Sequence, residues 1–476
     1  MSETQDIRQA IIEALPLTTS NHGEVPDQRS LYLPPAHIKA LRLECNLVIG
    51  ARGVGKSFWT AALGSPSARS SLGQTVRELE RTDVHIGFAV APDIDAFPDG
   101  EVFSHLMDAS TPYDIWRAVV ARWLALVTSE TIPLTTWDET VAWVKANPES
   151  LARLLQRANE HFRQRQRFGL IVFDALDRTS RDWGRMDDIV RDLLRVVLWL
   201  KSYPNLHAKV FLREDQSDRT VTDFTDASKL LATKAELTWA PHDLHGLLWQ
   251  MLCNAPSLNG ELLRRIYAGI VGSPPPQRGD IWQLSEEIKR ESAKQRALFE
   301  ALAGAWMGRD RRRGVPYVWS VSHLADGRRR TSPRSFLAAI RQAAEDSSEQ
   351  YPEHPHALHY ESIKRGVQKA SEIRVLEMAE DYPWVTQVME PLRGLTVPCP
   401  FETIERCWSD DFPNGLGVAS GERLPPQHAE RGWPGVRSDL ERLGVFETMK
   451  DGRVNLPDLY RVGFGLGRRG GVKPLK

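Results

Sequence analysis

Cys45-Asn-Leu-Val-Ile-Gly-Ala-Arg-Gly-Val-Gly-Lys-Ser-Phe-Trp-Thr-Ala-Ala-Leu63 is the stretch whose reading decides the fold. Its first third, Cys45–Gly50, reads as a buried strand, and its last third, from Phe58, opens a helix. Between them Gly50-Ala-Arg-Gly-Val-Gly-Lys-Ser57 matches G-x-x-x-x-G-K-[ST] at every fixed position. Glycines let the backbone curl so that successive N–H groups point at phosphate oxygens, and the helix N-terminus adds positive potential. Gly50, Ala51, Arg52, Gly53, Val54, Gly55, Lys56, Ser57 and Phe58 are therefore the expected cradle. Within it Lys56 reaches the terminal phosphates and the Ser57 hydroxyl ligates Mg²⁺.

A second stretch, Leu170-Ile-Val-Phe-Asp-Ala-Leu-Asp-Arg178, supplies the expected partner. A short apolar strand that delivers Asp174 at its C-terminal end suits an aspartate that orients the metal through water. The next position, where many ATPases carry the acid that polarises the attacking water, is Ala175. Asp177 is the nearest remaining carboxylate and reads equally well as that base or as a partner of Arg178 and a helix cap. Slow turnover is the corresponding expectation. Arg213 follows the apolar Val210-Phe-Leu. Strand ends of open α/β sheets face the ligand crevice, so Arg213 reads as a phosphate sensor, with pairing to Glu214 or Asp215 as the other reading.

Outward from these motifs, strands are expected at Val84–Ala91 and Glu236–Trp239, and helices at Ala36–Arg42, across 93–168 and at Asp187–Lys201. Strands alternating with helices imply a parallel sheet. Trp116, Trp123, Trp137 and Trp143 read as core anchors ahead of base-stacking platforms. Past Pro241 the pattern turns helical, with Leu244, Leu247, Leu248 and Met251 on one face; a turn-rich break at 273–279 precedes a further helical stretch, Ile281–Met307. The expected divisions are an N-terminal helix and tether (1–35), a nucleotide core (36–240) with an insertion near 93–168, a helical lid (241–346), a connector (347–395) and a C-terminal domain (396–476).

Taken together these residues resemble the AAA+/STAND side of the P-loop ATPases, in particular the bacterial KAP-like group. Asp174-Ala-Leu-Asp-Arg178 looks like their metal-binding strand end, Val210-Phe-Leu-Arg213 like their first sensor strand, and Thr331-Ser-Pro-Arg-Ser-Phe-Leu337 like the turn that opens a lid helix. The resemblance implies ATP as the nucleotide, with Arg334 reaching back to it from the lid. It also implies a three-layer α/β core of the ASCE type with a parallel sheet, then the lid. Val436–Asp458, a helix followed by a turn at Asp451-Gly452, is similar to a winged helix, and that order of domains also characterises AAA+ replication initiators. The resemblance, and not the chemistry, also implies a role in bacterial conflict systems such as antiphage defence.

Composition narrows the rest. The net charge is −1, from 61 basic and 62 acidic side chains, which argues against a globally nucleic-acid-binding surface. No apolar run reaches the roughly 18 residues of a membrane span, and the N-terminus lacks the features of a signal peptide. Cys45, Cys253, Cys399 and Cys407 form no C-x-x-C pair, and a reducing cytoplasm is the expected location. Eight arginines between Arg309 and Arg334, interleaved with Tyr317 and Trp319, fit a solvated loop, a nucleotide or subunit contact, or nucleic acid. The basic tail from Arg461 reads as a solvated terminus or an arm for phosphates. His354, His356 and His359 read as a surface turn ahead of a metal site. The expected protein is an ATP- and Mg²⁺-binding ATPase switch that controls a homo-oligomer or a protein effector. The alternative is a DNA-binding ATPase of initiator or loader type, using the C-terminal domain and the arginine-rich loop.

Overall fold

The computed structural model describes residues 3–15, 26–180, 182–217, 220–256, 259–416, 425–469 and 472–474. Residues 18–25 of the segment expected as a tether, 18–35, lie outside these residues. The chain forms two compact units. One holds Leu33–Thr238 with Ser20–Gln28; the other holds Met1–Thr19, Arg29–Tyr32 and Trp239–Lys476.

The first unit is built on five strands: β1 (Leu47–Gly50), β2 (Thr82–Phe88), β3 (Phe168–Phe173), β4 (Leu206–Arg213) and β5 (Ala235–Glu236). They pair in the order β2-β3-β4-β1-β5, and every pairing is parallel. β1 is buried throughout and β3 nearly so, as strands covered on both faces must be. Each strand begins or ends within a few residues of its expected place. β5 is the shortest, two residues rather than the four expected from Glu236–Trp239.

Helix α2 (Pro35–Leu41) precedes β1, and helix α3 (Lys56–Gly64) follows the glycine loop. The insertion between β2 and β3 comprises helices Gly100–Leu106, Pro112–Thr128, Trp137–Ala146 and Pro148–Gln164. Trp116, Trp123 and Trp137 are buried in it, and Trp143 is half-buried. The Trp116 indole donates to Ile189 O at 3.0 Å and that of Trp137 to Ile94 O at 2.8 Å, so each buried N–H has an acceptor.

Lys209, on β4, is fully buried, and its ammonium donates to the carbonyls of Ala40, Arg42 and Cys45. It thereby satisfies carbonyls at the C-terminus of α2 and in the turn that leads into β1. Burial pushes its pKa down to about 8.

The second unit is mainly helical. Helices Pro333–Gln350 and Tyr360–Asp381 pack face to face, and they approach so closely that a Cβ at Gly366 would lie 2.2 Å from Ala339 O. Helix α1 (Glu3–Ala14) packs into this unit against Pro333–Gln350 and Asn259–Val271. Arg8 fixes it there. Its guanidinium is fully buried and donates to the carbonyls of Tyr351, Pro352, His354, His356 and Ala357. The histidine turn expected at 354–359 is thus wrapped around an arginine. Among the described residues no group of histidine, cysteine, aspartate and glutamate has the arrangement of a metal cage.

The stretch Ile281–Met307 differs from expectation. Ile281–Trp282 pairs antiparallel with Gln277–Arg278 across Gly279-Asp280, and the helix is confined to Ala293–Ala303. Gly279 takes φ 58°, the conformation a two-residue hairpin turn requires, and Ser292 caps the helix by accepting from Gln295 N.

The C-terminal part runs through helix Pro383–Met389, a bridge at Cys399, helices Phe401–Asp411 and Trp433–Arg442, and a hairpin of Glu447–Thr448 with Val454–Asn455. Cys399 pairs antiparallel with Val454, which makes a small three-stranded arrangement. In the basic tail Arg461 is packed, whereas Arg468, Arg469 and Lys473 are exposed. Arg461 is fully buried, bonded to Asp458 and to the carbonyls of Leu466 and Val472. No helix among the described residues is long and apolar enough to cross a membrane.

Candidate functional site

Because the sheet of the first unit is parallel, the C-terminal ends of β1, β3 and β4 lie along one edge. They carry Gly50, the residue before Asp174, and Arg213 respectively. Gly50 is opposite Arg213 in the ladder. β4 lies between the strand that feeds the glycine loop and the strand that delivers the aspartate.

The loop from Gly50 to Ser57 owes its path to its glycines. A Cβ on Gly50 would sit 2.7 Å from the Val54 side chain, and Gly53 and Gly55 have φ of 78° and 104°. Both angles lie where only glycine is unstrained. Gly55 is the N-cap of α3 and offers no side chain to accept from the first turn, so those N–H groups remain available to an anion. The loop is braced from behind: the Trp59 indole donates to His37 Nδ1 at 3.1 Å, and His37 Nε2 donates to Thr238 O at 3.0 Å. Burial holds the His37 pKa down at about 4, so the ring is neutral and keeps the tautomer both bonds need.

Lys56 Nζ donates to Gly50 O and Ala51 O, at 2.9 Å each. Its pKa is pushed down to about 8 by burial and by the Arg213 charge, against the pull of Asp174, Asp177 and Asp215. Asp174 is 2% exposed and its pKa is raised, chiefly by burial. The Ser57 hydroxyl lies close enough to this carboxylate to draw its pKa back down, while Asp174 Oδ2 is buried without a partner among the described residues. A buried carboxylate oxygen lacking a donor, next to a serine hydroxyl, is a donor set that fits a hard divalent cation such as Mg²⁺.

Ala175 lies in the left-handed region, with φ 57° and ψ 34°. This turns the chain directly after Asp174 and leads into the short turn Leu176–Arg178. Asp177 is brought to the same edge, with its Oδ2 3.6 Å from Arg213 Nη1. Arg213 also forms a two-pronged pair with Asp215, at 3.1 Å on each prong, and its own N–H is accepted by Gln216 Oε1. Lys56, Ser57, Asp174, Asp177 and Arg213 thus meet at one place. Arg334 lies in the second unit, at the start of helix Pro333–Gln350, and pairs with Glu377, which Arg374 also contacts at 3.4 Å.

Asp215 is the site residue the sequence reading left unassigned, since it entered only as one possible partner of Arg213. The signal was its place two residues past the strand end. What it lacked was any sign that the chain turns back there into the short helix Glu214–Ser217.

Compared with family models and with curated proteins, the chain matches none. Among solved structures it is similar to the Aeropyrum pernix ORC2 protein in its ADPNP–ADP complexes. That likeness has 12% identity and a TM-score of 0.40, and it covers 91% of this chain and 94% of the other. The A. pernix ORC1 protein in complex with DNA is similar at 14% identity and a TM-score of 0.35, covering 91% and 92%. Likenesses this distant leave the function to be argued from the chain's own residues.

Proposed function

We propose that the chain is an ATP- and Mg²⁺-binding P-loop ATPase of AAA+/STAND type that works as a molecular switch. The observation that carries this reading is the buried, part-unsatisfied carboxylate of Asp174 with the Ser57 hydroxyl near it, beside a glycine loop whose helix N-terminus is uncapped. When bound, Mg²⁺ would neutralise charge on the terminal phosphates. The cradle Gly50–Phe58 binds the phosphates through its N–H groups, and Lys56 leaves its loop carbonyls to bond them. Asp177 orients the attacking water. Its tie to Arg213 and the absence of an acid at position 175 favour slow turnover. Arg213 reports the terminal phosphate by exchanging Asp215 for it, and Arg334 takes part on leaving Glu377. The output is assembly with further copies or with a protein effector in the cytoplasm, as in antiphage systems.

Calorimetry with ATP and MgCl₂ tests the reading. Wild type is expected to bind, Lys56→Ala to bind at least tenfold more weakly, and Asp174→Asn to bind without dependence on magnesium. Should wild type take up no nucleotide, the reading fails.

A second reading, a DNA-binding ATPase of initiator or loader type, is favoured by one observation. The C-terminal order of helix, bridge strand, two helices and hairpin fits a winged helix and supports this reading. Salt-sensitive binding to duplex DNA that survives Lys56→Ala would support it, and its absence at low salt would remove it.

A further inference from the structure

The arginines between 309 and 334 fall into two groups with different surroundings. In the later group Arg329 faces Glu447 at 3.9 Å, Arg330 pairs with Asp326 at 3.4 Å and Arg334 pairs with Glu377. Asp326 also accepts from the backbone N–H groups of Arg328 and Arg330 and so shapes the turn. In this group Arg329, Arg330 and Arg334 each have an acidic side chain within reach.

Arg309, Arg311, Arg312 and Arg313 differ. All four are exposed, and among the described residues none of their guanidinium groups has an acidic partner. Their one acidic neighbour, Asp310, is committed to the backbone, where its carboxylate accepts from Arg312 N at 2.9 Å. The loop itself needs no outside support: Met307 N donates to Gly314 O at 2.9 Å, and Arg313 N donates to Asp310 O at 3.1 Å. Its backbone is closed and its charged side chains stand in solvent. Beside them Trp306 is 37% exposed, one of the few large apolar side chains left open.

The basic residues of the helix–hairpin region are largely engaged instead. Arg437 is bonded to Glu441 and Thr448, Arg453 to Asp451, and Arg461 is buried against Asp458. Within the five residues 309–313 the 304–314 loop thus carries four exposed arginines that lack an acidic partner among the described residues. Clustered guanidinium groups match the spaced phosphates of a polyanion, and an open indole next to them matches an unstacked base. A duplex offers the phosphates but keeps its bases stacked.

We propose that the 304–314 loop is a contact surface for single-stranded nucleic acid, with Arg309 and Arg311–Arg313 on its phosphates and Trp306 against a base. The proposal deepens the second reading above and moves the contact from the helix–hairpin region to this loop.

The test uses the full chain and fluorescence anisotropy with a labelled 20-nucleotide single strand, as DNA and as RNA, and with the same sequence as duplex DNA. Wild type is expected to bind a single strand of either kind with a log–log salt slope of about −2 to −3, from about −0.7 for each of three or four phosphates. The variant R311A/R312A/R313A should lose about two units of that slope and at least tenfold in affinity at 50 mM salt, with its circular dichroism and ATP binding unchanged. Trp306→Ala should weaken the single strand several-fold and leave the duplex unaltered. If the triple variant binds as wild type does while Lys450→Glu or Arg406→Glu weakens binding, the nucleic-acid reading survives and this placement is overturned. If wild type binds no oligonucleotide, both fall. If the triple variant instead loses only an ATP-driven change in mass, the loop is a subunit contact and the proposal is wrong.

Discussion

Two residues at the sheet edge sit where the fold opposes their charged forms, and both make testable demands. Burial and Arg213 bring the Lys56 pKa down to about 8. Below that pH the ammonium is already charged and nucleotide affinity should be flat. Above it, binding must take up a proton, so affinity should fall by up to tenfold per pH unit, and calorimetry in buffers of different ionisation enthalpy should register proton uptake. Asp174 is raised by burial, so the folded protein holds a proton that the unfolded chain would release. The nucleotide-free protein should therefore lose stability as pH rises from the ordinary carboxylate range through the raised value. Asp174→Asn should accordingly melt higher than wild type without nucleotide, while losing the magnesium-dependent gain. A lower melting temperature for the variant would contradict this account. Of these two positions the sequence displayed the residue types and the spacing. It could not display the missing hydrogen bond at Asp174 Oδ2, which depends on which groups the packed fold places around it.

Single elements are held by polar side chains that reach far along the chain. His37 links α2, α3 and the end of the last strand through Trp59 and Thr238. His37→Leu would strand a buried indole N–H and a carbonyl, and at about 1–3 kcal/mol for each orphaned group the first unit should lose about 2–6 kcal/mol in denaturant melts. Arg8 does the same for α1, with five carbonyls bonded to one guanidinium. Arg8→Ala should cost the second unit about 3 kcal/mol or more, and Arg8→Lys should recover little, since an ammonium has three donors and no fork. A change below about 1 kcal/mol would mean that helix α1 is held by its apolar face alone. The helix itself was legible as a sequence pattern. Its anchor was not, because an arginine in a helix reads as a solvated side chain until the turn at Tyr351–Ala357 is known to close around it.

For the whole chain, two compact units make nucleotide linkage selective. ATP at about a hundred times its Kd should add about 2.7 kcal/mol to the unit that carries the glycine loop. Hydrogen exchange resolved by peptide should find that protection gained in β1, α3 and β3 first. Equal gains throughout the chain would argue for a single cooperative body. The discontinuity of the second unit, which takes in both Met1–Thr19 and Trp239–Lys476, has no local signature. The linear order of motifs suggested successive divisions, whereas packing returns the first helix to the last half of the chain.

The sequence alone determined the glycine loop that leads into a helix and the parallel alternation around it. Both follow from local rules: glycines where φ must be positive, uninterrupted apolar runs where both faces of a strand are covered. Only the tertiary structure decided that β4 lies between β1 and β3, that Asp215 joins Arg213, and which arginines have an acidic side chain within reach. These depend on strand order and on pairings between residues remote in sequence, and no spacing rule along one chain encodes the distance between two such side chains.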